Sequence, residues 1–217
     1  MIMKCKLFCF LGILFFLPTG MYAQLGIKAG INIANEINSF SDAGIRAGFN
    51  TTHLSGYQIG LVYQIRPKSS GFGVDTGVSI SQKGSTFSNS DSTNVTNFIK
   101  QGYKELNYLE VPLNVRYRLL LGGVAVYGFG GLYGGYELNG KAVDETTNDI
   151  QNVTYSVFTD HVDYGYNFGA GVELFKKIQL GATWSQGLKN TAVSFAGLPT
   201  PIKTTNRVYS INLVYLF

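Results

Sequence analysis

Apolar residues recur at every second position in eight separate stretches of this chain, and the connections between the stretches alternate long and short. In the first stretch Ile27, Ala29, Ile31 and Ile33 alternate with Lys28, Gly30, Asn32 and Ala34. The others run over 54–65, 72–81, 108–119, 124–138, 164–174, 178–185 and 209–217. A period of two is the signature of a strand with one apolar face. Each stretch is about ten residues, the length a tilted strand needs to cross a bilayer. Over 124–138 glycine occupies both registers, and the facing of that strand stays open. The connections 36–53, 84–105, 139–163 and 187–207 are long and polar, whereas 66–70, 120–123 and 176–177 are tight. Outer-membrane barrels alternate short turns on one side with long loops on the other in this manner. The fold expected is all-β, an eight-stranded antiparallel up-and-down transmembrane β-barrel over residues 24–217.

The composition agrees with an apolar surrounding. Charged residues are 14 % of the 217, against roughly 25 % in soluble domains. Because the face opposite the apolar one is rich in Gly, Ser, Asn and Gln, it suits a narrow lumen filled by side chains. The apolar face suits lipid, with Leu113 and Ile211 near mid-strand. Tyr57, Tyr117, Tyr164, Trp184, Tyr209 and Phe217 fall near strand ends, as an interfacial aromatic girdle would. The inward register collects Lys28, Asp75, Lys83, Glu110, Arg116, Arg118 and Glu173. Charges confined there should pair, with Glu110 and Glu173 the expected partners of Arg116 and Arg118. Such a lumen would be plugged.

Residues 1–23 read as a secretory signal peptide, with Lys4 and Lys6 ahead of an apolar run from Leu7 to Leu17 and Ala23 closing it. That run is too short to span as a helix. Cys5 and Cys9, the two cysteines, leave with the leader, which excludes thiol catalysis and disulfides from the remaining chain. Loss of Lys4 and Lys6 takes the net charge from +4 to +2. So sparse a set of cations gives nucleic acid no footprint.

Several segments carry a family likeness: GIKAGINIAN (26–35), SQKG (81–84), LNYLEVPLNVRYRL (106–119), FGAGVEL (168–174) and NRVYSINLVYLF (206–217). Together they resemble the outer-membrane β-barrel family of Bacteroidetes, the PorT-like group, across the whole of 24–217. LNYLEVP is the most specific segment. The resemblance implies an eight-stranded barrel in the outer membrane of a Gram-negative bacterium. Pro112 belongs to the matching segment, and because proline cannot donate to a ladder it is expected to mark a bulge or bend.

No motif commits the chain to chemistry. GFGGLYGG (128–135) lacks the helix that a phosphate-cradling loop leads into. His53 and His161 are the only histidines, and Ser156 and Ser185 are conceivable nucleophiles that nothing in the sequence pairs with a base. The acids of the third long connection, Asp144, Glu145, Asp149, Asp160 and Asp163, show no Ca²⁺-ligand spacing. Arg46, Lys189, Lys203 and Arg207 could meet lipopolysaccharide phosphates. The expectation is a non-enzymatic barrel without cofactor or metal, both termini periplasmic, in a binding or envelope/secretion-accessory role. Its partners would be outer-membrane lipid, lipopolysaccharide and, through the C-terminal strand, the barrel-insertion machinery. The alternatives are a small weakly conducting pore and a lipid-modifying hydrolase.

Overall fold

A computed structural model describes residues 21–39, 49–67, 71–89, 101–144, 149–152, 161–189 and 203–217. These form nine strands: β1 Met21–Ser39, β2 Phe49–Pro67, β3 Phe72–Asn89, β4 Gln101–Leu121, β5 Val124–Asp144, β6 Asp149–Asn152, β7 Val162–Leu174, β8 Ile178–Gly187 and β9 Lys203–Leu216. Eight of them make a ring in the order β4-β3-β2-β1-β9-β8-β7-β5, which the β4–β5 ladder closes. Every pairing is antiparallel. The short β6 folds back on the end of β5 and stands outside the ring. The first and last strands meet over a ladder from Gly26↔Leu216 to Ser39↔Lys203, and the Phe217 amide donates to the Leu25 carbonyl at 2.9 Å. Closure matters because a sheet edge left in hydrocarbon would hold unsatisfied backbone groups at several kcal/mol each.

Both described chain ends lie at the end of the barrel that carries the tight turns. Leu121 and Val124 are joined through Gly122, whose φ of +73° suits glycine. The other described turn has no glycine. Phe175 and Lys176 take φ of 54° and 61°, and the Lys177 amide bonds the Leu174 carbonyl at 3.0 Å, a type I′ geometry that follows strand twist.

The strands are longer than their apolar periodicity suggests. Residues 36–39, 49–53, 84–89, 101–105 and 139–144, read from sequence as connections, continue the strands at the loop end. There Thr86, Glu105, Asn139 and Lys141 interrupt the apolar series, so alternation carries little hydropathy signal. Pro112 makes no bulge. The β3–β4 register is the same on either side of it, from Thr76↔Leu113 to Ser79↔Glu110, and its carbonyl accepts from Thr76 Oγ1 at 2.8 Å. The register shifts instead at 53/58 in β2 and at 107/108 in β4.

Leu113 and Ile211 face outward, 60 % and 53 % exposed, while their neighbours Asn114 and Asn212 are buried inside. The open question of β5 is settled by its neighbour. Tyr127, Phe129 and Tyr133 point inward, opposite Gly171, Gly169 and Gly165 of β7, and a Cβ on any of those glycines would stand within 3 Å of the ring. On the outer face the relation reverses, with Phe168 lying over Gly130. Glycines 128, 130 and 134 therefore face lipid, while Gly131 and Gly135 face inward and leave room in the lumen together with the glycines of β7.

Leu113→Arg should destabilise the folded barrel by about 2–4 kcal/mol, whereas Leu119→Arg beside the turn should cost no more than about 1 kcal/mol. Urea titration of refolding into lipid vesicles reads both; equal costs would contradict a mid-belt position for Leu113.

Candidate functional site in the barrel lumen

Because β-strand side chains alternate, one register of all eight strands converges on a narrow interior. Charged side chains fill it in tiers. At the turn end Glu173 of β7, fully buried, takes Arg66 at 3.0 Å, Arg118 at 2.8 Å and the Gln179 amide at 2.8 Å. Gln179 and Gln64 exchange bonds at 3.1 Å across the barrel. One tier further in, Arg116 pairs with Asp75, and its guanidinium lies 4.0 Å from the Tyr127 ring centroid and 5.7 Å from that of Phe129. A cation over a desolvated aromatic face is worth ~2 kcal/mol, which explains why β5 turns its rings inward.

Toward the loop end Lys83 bridges Glu110 at 2.5 Å and Asp163 at 3.1 Å. Tyr133 and Asn206 also donate to Asp163, at 3.3 and 3.1 Å. The Tyr133 and Tyr108 rings flank the ammonium at 4.5 and 5.0 Å. Above this tier Glu36 accepts from Lys104 and Ser85, both at 3.0 Å. Between the tiers runs an amide belt. Asn32 receives Gln58 at 3.0 Å and Ser210 at 2.8 Å, and Asn212 donates to Thr183 at 3.1 Å. The lumen keeps a cavity of about 110 Å³.

The seven sequence-derived lumen residues all point inward, with pairings that differ in part. Glu173 meets Arg118, as the spacing suggests. Glu110 takes Lys83 and not Arg116, which turns to Asp75. Lys28 lines the cavity and makes no ion pair among the described residues. The reading from sequence missed Arg66, Asp163, Glu36 and Lys104. Arg66 extends the inward series Gln58, Gln64, and Asp163 extends Gly165, Asn167, so counting the period two residues further would have found both.

The aromatic positions fall at two levels. Tyr57, Tyr164, Trp184 and Tyr209 stand toward the loop end, where Trp184 packs edge-on to Tyr166 at 5.6 Å and stacks on Phe168 at 6.2 Å. Tyr117 and Phe217 stand at the turn end, against Phe72 at 4.7 Å and Tyr215 at 5.8 Å. Of the residues considered for catalysis, Ser156 lies outside the described residues. Ser185 lines the lumen cavity, His161 stacks on Tyr136 at 5.4 Å, and His53 sits opposite Ser85 in the β2–β3 ladder. Among the described residues no acids or histidines group to hold a metal ion.

A closed ring of eight strands around a polar interior, apolar outside, is the architecture of an outer-membrane barrel. Residues 18–193 match the outer membrane protein beta-barrel domain family. The chain belongs to that family. No curated protein matches it by sequence. Among solved structures it resembles the outer membrane protein OprG from Pseudomonas aeruginosa, at 14 % identity and a TM-score of 0.50 over 91 % of this chain and 97 % of that one. A major outer membrane protein from Thermus thermophilus aligns at 14 % and 0.46 over 90 % and 99 % of the two chains. Ail of Yersinia pestis, solved with the heparin analogue sucrose octasulfate, aligns at 12 % and 0.42 over 90 % and 99 %. At these identities the OprG likeness speaks for the fold alone. The protein is an outer-membrane β-barrel.

Glu173→Gln removes the shared carboxylate of two buried guanidiniums and should destabilise the barrel by about 3–5 kcal/mol. Glu105→Gln, in the half-exposed pair with Lys141, should cost under about 1 kcal/mol. Vesicle refolding titrations compare the two, and similar losses would mean the lumen is wetter than its packing indicates.

Proposed function

We propose that the protein is a plugged, non-enzymatic barrel that acts by binding at its loop end, in a binding or envelope/secretion-accessory role. The observation that carries this reading is the tiered lumen. Four ion-pair clusters and an amide belt leave about 110 Å³ of space, too little for an open aqueous channel through a barrel of eight strands. What remains for recognition is the loop end, where β4 and β5 extend past the apolar belt and carry the Asn107–Asn139 bond at 2.8 Å and the Lys141–Glu105 pair at 2.9 Å. With the tight turns and both termini in the periplasm, this end faces outward, within reach of lipopolysaccharide. Residues 1–23 serve as the export signal, and the terminal strand ending in Phe217 is the segment the insertion machinery engages. The LNYLEVP segment supports membership of the PorT-like group of Bacteroidetes. A weakly conducting pore is the second reading, favoured by the polar lining of the cavity.

Planar-bilayer recording on purified, folded protein separates the two readings. The plugged lumen predicts silence in the wild type; reproducible nanosiemens-scale steps would overturn it. A C-terminal tag should resist protease in intact cells and be cut after the outer membrane is breached, and cleavage in intact cells would reverse the orientation.

A further inference from the structure

The turn end of the barrel holds more cations than acids. Glu173 is the one carboxylate of its tier and is shared by Arg66 at 3.0 Å and Arg118 at 2.8 Å. The next tier inward is matched, Arg116 to Asp75. Further in, Lys28 and Lys83 are equalled in number by Glu110 and Asp163, and Lys104 by Glu36, with Glu137 beyond Glu110 toward the loop end. At the rim the tight turn after β7 adds Lys176 and Lys177, and the terminal carboxylate of Phe217 is the only further acid among the described residues there. The excess of positive charge is therefore confined to the turn end, and within the lumen it belongs to the Arg66–Arg118–Glu173 tier.

The two guanidiniums of that tier also keep donors to spare. A guanidinium carries five N–H groups and no acceptor. Arg118 gives its Nη2 to Glu173, and Arg66 gives its Nη2 to Glu173 and Gln64. The Nε of each is buried without an acceptor, and the Nη1 of each has no hydrogen-bond partner among the described residues. Donors withdrawn from water and left unpaired are costly. The two side chains are 11 % and 16 % exposed, so a group arriving at the mouth can reach them. A group that completes the tier has to carry negative charge, accept several N–H bonds and match a planar fork. A carboxylate or phosphate group does all three.

We propose that the turn-end mouth of the barrel is a binding site for an oxyanion, a carboxylate or phosphate group of a soluble ligand, seated between Arg66 and Arg118. One such group sets two anions against the two guanidiniums and balances the tier. Both arginines belong to the inward register, away from the headgroups that surround the outer wall, so the ligand comes from solution. On the orientation proposed above that solution is the periplasm. The site itself is independent of that orientation and of whatever the loop end binds.

The test is calorimetric titration of inorganic phosphate into the folded barrel in neutral detergent at fixed ionic strength. Wild type should bind phosphate saturably. Arg118→Gln leaves Arg66 paired with Glu173, and it should weaken phosphate binding about tenfold or more, the effect of losing a hydrogen bond to a charged group. Lys141→Gln at the loop end should bind as wild type does. Absence of saturable binding to wild type would overturn the proposal, and so would wild-type affinity in Arg118→Gln or an equal loss in Lys141→Gln. Should Arg118→Gln not fold, NMR of the isotope-labelled wild type decides. The Nε–H signals of Arg66 and Arg118 should move as phosphate is added, and signals that stay in place at high phosphate overturn the site.

Discussion

Hydrocarbon offers no partner to a peptide group, and that single deficit governs the structure. Every backbone N–H and C=O in the belt must be satisfied by a neighbouring strand. The sheet therefore has to end where it began, with β9 laid against β1 and β4 against β5. Once eight strands close, the diameter follows, and with it an interior only wide enough for side chains. The lumen tiers, the small cavity and the division of each strand into a lipid face and an inner face are consequences of that closure.

Inside so narrow a tube charge and shape are solved together. Each guanidinium or ammonium of the tiers meets a carboxylate, and two also meet a flat face, Arg116 on Asp75 and Tyr127, Lys83 on Glu110, Asp163 and Tyr133. The rings that supply those faces need space, and β7 yields it by placing Gly165, Gly169 and Gly171 opposite them. A strand of inward aromatics beside a strand of inward glycines fixes the register of the pair, since a slip of one residue would drive rings into backbone and turn Glu173 to lipid. Electrostatic pairing in the lumen and strand pairing in the wall thus specify one another. Lys28 is the exception, a cation in the same interior facing space and not a carboxylate.

Much of this was legible beforehand. Strict alternation in the belt of β1 to β4 and β7 to β9 reveals strand, facing and the inward position of all seven charged residues named from sequence, because a lipid face admits almost nothing polar. The partners were not legible. Glu110 and Arg116 are six residues apart on one inward face, but Lys83 from β3 reaches Glu110 first and Asp75 takes Arg116. Spacing along one strand says nothing of which residue the next strand's register sets beside it. Strand length was underestimated for a related cause, since Ser85, Lys104 and Glu36 keep the inward register past the apolar belt, where the outward positions are no longer uniformly apolar.

The sequence by itself determined the period, the number of strands, the order of long and short connections and the apolar belt, since each is a local demand of crossing lipid. Tertiary structure alone decided the facing of β5. Glycine in both registers of 124–138 leaves its own alternation silent, and the choice was made by Arg116 and Lys83 drawing Tyr127 and Tyr133 inward while β7 left room for their rings. It also decided the pairing of the lumen charges and left Lys28 beside a cavity, because those contacts join residues distant in the chain that only a closed ring brings together.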